Sequence, residues 1–180
     1  MADGSRLSGR RVAVFLAEGF EDLEFWVTLM RLREEAADVT VVGIAGGETV
    51  RGKHALEATS DVAATDVSAD DFDAVVVPGG WAPDKLRRYE EVTSLVAKAY
   101  GQEKIVGLIC HAGLVGISAG IVGGHRATGS LGIKDDLVNA GATWVDEPAF
   151  RDGAIVWGRV VKDIPAFCRE LISAIEERTS

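Results

Sequence analysis

Ile105-Val-Gly-Leu-Ile109 followed at once by Cys110-His111-Ala112-Gly113 is the stretch on which the fold turns. Five apolar residues in a row read as a strand covered on both faces, as in parallel sheets, and the Gly-containing apolar run to Ala119 reads as a turn entering a buried helix. Two further runs behave in the same way. Val12 to Ala17 ends in Glu18-Gly-Phe-Glu21-Asp-Leu-Glu24, and Ala74 to Val77 ends in Pro78-Gly79-Gly80. Parallel strands require crossovers, and helices are expected between them. Leu23, Trp26, Val27 and Met30 give the first its apolar stripe, and Val92 to Tyr100 gives another. Ile164, Phe167, Cys168, Leu171, Ile172 and Ile175 form the stripe of the last helix, with Arg169, Glu170, Glu176 and Glu177 opposite. Asp38 to Ile44 reads as a second strand and 46–66 as a small hairpin. Short strands are expected near Arg126 to Thr128 and Thr143 to Val145, with a helix from Ile133 to Asn139 between them and a further strand from Ala154 to Gly158 extending that region. The pattern predicts an α/β fold, a doubly wound and mainly parallel sheet sandwiched by helices, in which ligands bind beyond the carboxyl ends of the strands.

The chain of 180 residues fits one domain, 1–180, with 1–10 expected to be flexible. A net charge of −9 opposes attraction to nucleic acid or anionic membranes, and no apolar run is long enough for a signal peptide or a span, so a cytoplasmic protein is expected. In that compartment the two cysteines are judged separately, as thiols. Cys168 falls on a helical apolar stripe and is expected to be structural. Cys110 is expected at a helix N-terminus, where unpaired N–H groups and the helix dipole favour thiolate. The backbone of His111 with Gly79 or Gly80 could bind an oxyanion there. Glu21 and Glu24, three apart, share a helix face toward the strand ends, and Asp22 is expected to project elsewhere. As a sequence neighbour of Cys110, His111 is expected to point away from it. His54 and His125 are expected to be exposed or satisfied. Gly116-Ile-Ser118-Ala-Gly120 matches a hydrolase nucleophile pattern, but Ser118 is expected inside or at the end of the helix begun at Cys110, with no strand directly before it, and is rejected. No metal-ligand spacing is present, and no cofactor is expected.

Four segments, Gly19-Phe-Glu-Asp22, Val77-Pro-Gly-Gly-Trp-Ala-Pro-Asp-Lys-Leu-Arg87, Ile109-Cys-His111 and Gly132-Ile-Lys-Asp-Asp-Leu-Val-Asn-Ala-Gly141, stand in an order that resembles the PfpI family of the ThiJ/PfpI superfamily. The resemblance covers nearly the whole chain and implies a class I glutamine amidotransferase-like, flavodoxin-like fold. It implies Cys110 as nucleophile, Glu24 hydrogen-bonded to its sulfur, Glu21 near the pocket, and Gly80 and His111 as oxyanion donors. It also implies Asp84 meeting His111 of another subunit, hence a homo-oligomer of at least two chains. Family activities include intracellular peptidase, glyoxalase III and deglycase, and stress protection. The chain departs from the family where Ala112-Gly113-Leu114 replaces glycine-proline-glutamine, where Ser130-Leu131 replaces tyrosine-proline, and where Asp84 replaces glutamate. If Ser130, Leu131 and Leu114 line the pocket, a bulkier or more apolar substrate than methylglyoxal is expected. The function expected is a cysteine-dependent hydrolase or glyoxalase/deglycase-like enzyme acting on a small carbonyl or acyl substrate. The alternatives are a redox sensor oxidised at Cys110 and a cysteine peptidase.

Overall fold

The computed structural model describes residues 5–178. In chain order the elements are β1 (Arg11–Leu16), α1 (Asp22–Glu34), β2 (Asp38–Gly43), the hairpin β3 (Thr49–Arg51) and β4 (Glu57–Thr59), β5 (Val62–Ala63) and β6 (Ala74–Val77). Then come α2 (Ala82–Leu86), α3 (Glu90–Gly101), β7 (Ile105–Ile109), α4 (Gly113–Ser118), β8 (Arg126–Ala127), α5 (Lys134–Asn139), β9 (Thr143–Trp144), β10 (Ala149–Asp152), β11 (Ile155–Gly158) and α6 (Ile164–Glu177). A seven-stranded sheet runs β10-β11-β7-β6-β1-β2-β5. Its pairs are all parallel except β10 with β11. α1 and α6 pack together on one face, and α3 packs with α4 on the other.

The apolar runs become central strands because both faces are covered: every residue of β6 and β7 is buried. The chain moves outward from β1 through β2 to β5, then returns to β6 on the other side of β1. That reversal leaves a crevice beyond the carboxyl ends of β1 and β6, with β7 beside it.

Four expectations are corrected. α1 buries Phe25, Thr28, Leu29 and Leu32, not the expected stripe, which leaves Leu23 49% and Met30 61% exposed. The helix carries two apolar faces, and the one bearing the buried Glu24 is turned inward. The expected strand from Ala154 does not extend the β8–β9 pair. As β11 it joins β7 in the main sheet, through β10, which has no expected counterpart. Within the segment expected to be flexible, residues 1–4 lie outside the described residues. From Ser5 the chain forms a turn in which Leu7 is fully buried and its N–H donates to the Glu35 carbonyl at 2.8 Å. Asp22 does not project away but is buried, as its role below requires.

Candidate active site

The segments after β1, β6 and β7 converge at one rim. Cys110 begins a single 3₁₀ turn, Cys110–Ala112, that leads into the short α4. Its φ of 62° is a left-handed conformation that a side-chain-bearing residue adopts at a cost of about 1–3 kcal/mol, held in place by surrounding structure. The bend reverses one expectation. Instead of diverging, the neighbouring side chains meet, with Cys110 Sγ 3.3 Å from His111 Nδ1.

Glu24 is the other half of the arrangement. It is fully buried, and its Oε2 accepts from the Gly79 N–H at 2.7 Å. Oε1 is buried with no hydrogen bond of regular geometry among the described residues, and the carboxyl interacts with the Cys110 thiol. Burial raises the Glu24 pKa to about 7, against the Gly79 N–H that lowers it. Burial and the adjacent Glu24 charge likewise push the Cys110 thiol up to about 12, opposed by the backbone N–H groups of His111 and Gly80. The expected thiolate-stabilising helix terminus is therefore outweighed: the helix is only six residues long and the sulfur is half-buried beside a carboxyl. Glu24 and Cys110 hold a proton between them, and charging one disfavours charging the other. His111 is lowered by burial, then by the Lys53 charge, which favours a neutral imidazole.

The two glycines have different work. A Cβ on Gly79 would lie 2.4 Å from Glu24 Oε2 and 2.7 Å from Cys110 Cβ. Its N–H is committed to Glu24, which takes it out of the oxyanion role expected for it. Gly80, at φ 82°, bridges to Phe20, and a Cβ there would meet the Glu21 nitrogen at 2.4 Å. Glu21 caps α1, accepting from the Glu24 N–H at 2.9 Å, and its Oε1 is 3.7 Å from His54 Nε2.

The cavity over the sulfur has a volume of about 470 Å³ and is lined by Cys110, His111, Glu21, Gly80 and Ser130, residues the sequence had singled out. It is also lined by His54, expected to be exposed or satisfied and here exposed at the cavity, and by Lys53, Trp81, Val160, Val161 and Lys162, which the sequence had not singled out. Val160 to Lys162 follow β11, so the strand-end rule finds them once β11 is placed beside β7. Lys53 rides on the hairpin tip, which no local pattern places here. Buried Asp22 does this, accepting at 2.8 Å from both the His54 and Leu56 N–H groups. Leu131 is 75% exposed, and neither it nor Leu114 is among the residues that line the cavity, so of the three residues expected to reshape the pocket only Ser130 lines it.

Asp84 is not brought to His111 within this chain. It lies exposed on α2, paired with Arg88. Ser118 Oγ accepts from Arg87 Nε at 2.9 Å at the far end of α4, in keeping with its rejection as a nucleophile. His125 is satisfied on both ring nitrogens, by Tyr100 at 2.7 Å and Asp152 at 2.9 Å. Cys168 is buried against Thr28, 3.9 Å away. No helix among the described residues is long and apolar enough to cross a membrane.

The chain is similar to a deglycase of Pyrococcus abyssi, 39% identical over 166 residues that make up 92% of this chain and 99% of the relative. It is 34% identical, with the same coverage, to the deglycase PfpI of Pyrococcus furiosus. Among solved structures it resembles a two-domain protein of Anabaena variabilis with DJ-1/ThiJ/PfpI-like and ferritin-like domains, with a TM-score of 0.90 and 33% identity. The match covers 95% of this chain and 52% of that one, so this chain spans about half its length. The DJ-1/PfpI family pattern matches residues 10–174, and with this coverage and these relatives the chain belongs to the DJ-1/PfpI family.

Proposed function

We propose that the protein is a cysteine-dependent enzyme of the deglycase and glyoxalase type. It would act on a small α-oxoaldehyde, or on the adduct of one with an amine or thiol, at Cys110. The observation that carries this reading is the fully buried Glu24 carboxyl, with a pKa of about 7, set beside Cys110, which itself lines a cavity of small-molecule size. Glu24, as the carboxylate, takes the Cys110 thiol proton as the sulfur adds to the aldehyde carbon and passes it to the new oxygen, giving a hemithioacetal whose oxygen is held by the N–H groups of Gly80 and His111. Glu24, again a carboxylate, takes the proton from that carbon and returns it to the neighbouring carbonyl carbon, while the hemithioacetal hydroxyl proton moves to the neighbouring oxygen, leaving a 2-hydroxy thioester. Water then cleaves the carbon–sulfur bond. The aldehyde carbon is oxidised, its neighbour is reduced, one water is consumed, and the balance requires no cofactor. With a hemiaminal adduct the sulfur takes the place of the amine: the carbon–nitrogen bond breaks, the amine leaves with the thiol proton, and the same hemithioacetal results. Ser130, in place of the family's tyrosine, leaves room in the cavity for a side group larger than methyl.

The test is lactate formation from methylglyoxal, with Cys110→Ser and Glu24→Gln each expected to lower kcat/KM by about a hundredfold or more. A wild-type protein that forms no lactate, nor a 2-hydroxy acid from larger α-oxoaldehydes, overturns the reading. A second reading, a peroxide sensor, is favoured by the buried Glu24 carboxyl, which meets the Cys110 thiol and whose Oε1 takes no hydrogen bond from any other described group. A protonated Glu24 would donate to a sulfinate oxygen formed when two peroxides oxidise Cys110. Selective oxidation at Cys110 in intact-mass spectra, with no turnover, selects it.

A further inference from the structure

The geometry points to a substrate that carries a carboxylate or phosphate at the end opposite its reacting carbonyl, an inference that rests on Cys110 being the reacting group. In a chain of net charge −9, the free lysines at this cavity run against the overall field. Lys53 and Lys162 both line it, and both are exposed. Among the described residues neither ammonium has an ion pair or a hydrogen bond. Lys53 rests over the Trp81 ring, 5.7 Å from its centroid. Its charge reaches inward, acting on both Glu24 and His111.

Acidic groups at the cavity do not cancel this pair. Glu21 is the one acidic residue among those that line it, against two lysines, and its Oε2 accepts from the Glu24 backbone N–H while Oε1 faces His54. Glu24 lies beneath the sulfur, its charge reduced near neutral pH by its raised pKa. The lysines come from two directions. Lys53 is on the hairpin tip clamped by Asp22, and Lys162 follows β11 in a 3₁₀ turn, Val161–Asp163. Both backbone positions are held, so the two ammonium groups reach the cavity from fixed points of attachment. An α-oxoaldehyde with its aldehyde on Cys110 and an anionic group at the mouth satisfies both ends. The expected preference for a more apolar substrate loses its basis, since the two leucines that suggested it are not among the lining residues.

Alkylation of Cys110 by iodoacetate and iodoacetamide separates charge from chemistry, because the same thiolate displaces iodide from both and they differ only in an anionic or neutral head. Any change in the cysteine's own reactivity cancels in the ratio of the two rates. At low salt that ratio is expected to exceed the ratio for free cysteine by about tenfold. It should return toward the free value in the Lys53→Gln, Lys162→Gln double variant, and in the wild type at about 0.5 M salt. A ratio at or below that of free cysteine, or one that neither salt nor the double variant moves, overturns the anion site. A parallel assay compares turnover of an α-oxoaldehyde bearing a terminal carboxylate on a two-carbon spacer with that of its methyl ester. The acid is expected to lead by about tenfold in kcat/KM. Turnover of both at equal kcat/KM removes the anionic substrate and keeps the enzyme. A raised alkylation ratio with no turnover of either keeps the anion site and removes the enzymatic reading.

Discussion

Cys110 Sγ and His111 Nδ1 lie 3.3 Å apart although the two residues are adjacent in the chain, a contact made possible by the positive φ of 62° at Cys110. The same bend sets the sulfur beside the Glu24 carboxyl on the other flank. Changes to either flank therefore register in the chemistry of one sulfur.

Glu24 should leave a mark on stability as a function of pH. Its folded pKa, about 7, lies above the unfolded value of 4.5, so the folded state binds the extra proton. The resulting contribution, roughly 3 kcal/mol, is complete below the unfolded pKa and lost as pH rises through the folded one. Denaturant unfolding at about pH 5 and about pH 8 should show this loss in the wild type and a flatter response in Glu24→Gln. Parallel curves would place the Glu24 pKa near its unfolded value.

Thiol labelling should separate the two cysteines. Iodoacetamide is expected to reach half-buried Cys110 first and Cys168 only on unfolding. Removing the Glu24 charge lowers the Cys110 pKa, so Glu24→Gln should label several-fold faster at about pH 8. Peptide mapping that finds Cys168 labelled first, or a slower variant, contradicts this electrostatic picture.

Gly79→Ala forces a methyl group into the space between Glu24 and Cys110. Overpacking of this kind costs about 1–3 kcal/mol, and here it would also part the carboxyl from the sulfur. Activity should fall at least a hundredfold, more steeply than the melting temperature alone accounts for. Retention of near-normal kcat/KM would show that the two groups do not need their present separation.

Asp22→Ala frees the His54 and Leu56 N–H groups together. The loss is expected to cost about 3 kcal/mol and to loosen the hairpin tip that carries Lys53. KM should rise more than kcat falls. The reverse split would separate the hairpin from substrate binding.

Asp84 can act only across subunits, since in its own chain it pairs with Arg88 rather than His111. If a second copy brings it to His111, light scattering will find at least a dimer, and Asp84→Asn will lower kcat/KM about tenfold without changing the Cys110 labelling order. A fully active monomer would exclude Asp84 from the mechanism.

The sequence by itself determined the parallel sheet, the rim of strand ends and part of the set of residues that gather there, Cys110, His111, Glu21, Gly80 and Ser130 among them. Continuous apolar runs such as Val75 to Val77 can be satisfied only by burial on both faces, and the motif at Cys110 begins where such a run stops. It determined the inward face of α6, whose single stripe left no choice. Tertiary structure decided the face of α1, because that helix has two apolar sides and only packing against the sheet and α6 selects Phe25, Thr28, Leu29 and Leu32. It decided that His111 turns toward Cys110, a matter of one backbone dihedral. It also decided the ionisation of the pair: a helix terminus favours thiolate, but the desolvation and charge that push Cys110 up and hold Glu24 near 7 come from residues remote in sequence. Lys53 and Lys162 reach one cavity only because a clamped hairpin and a strand placed late in the chain end at the same rim, a distance in space that no spacing along the chain records.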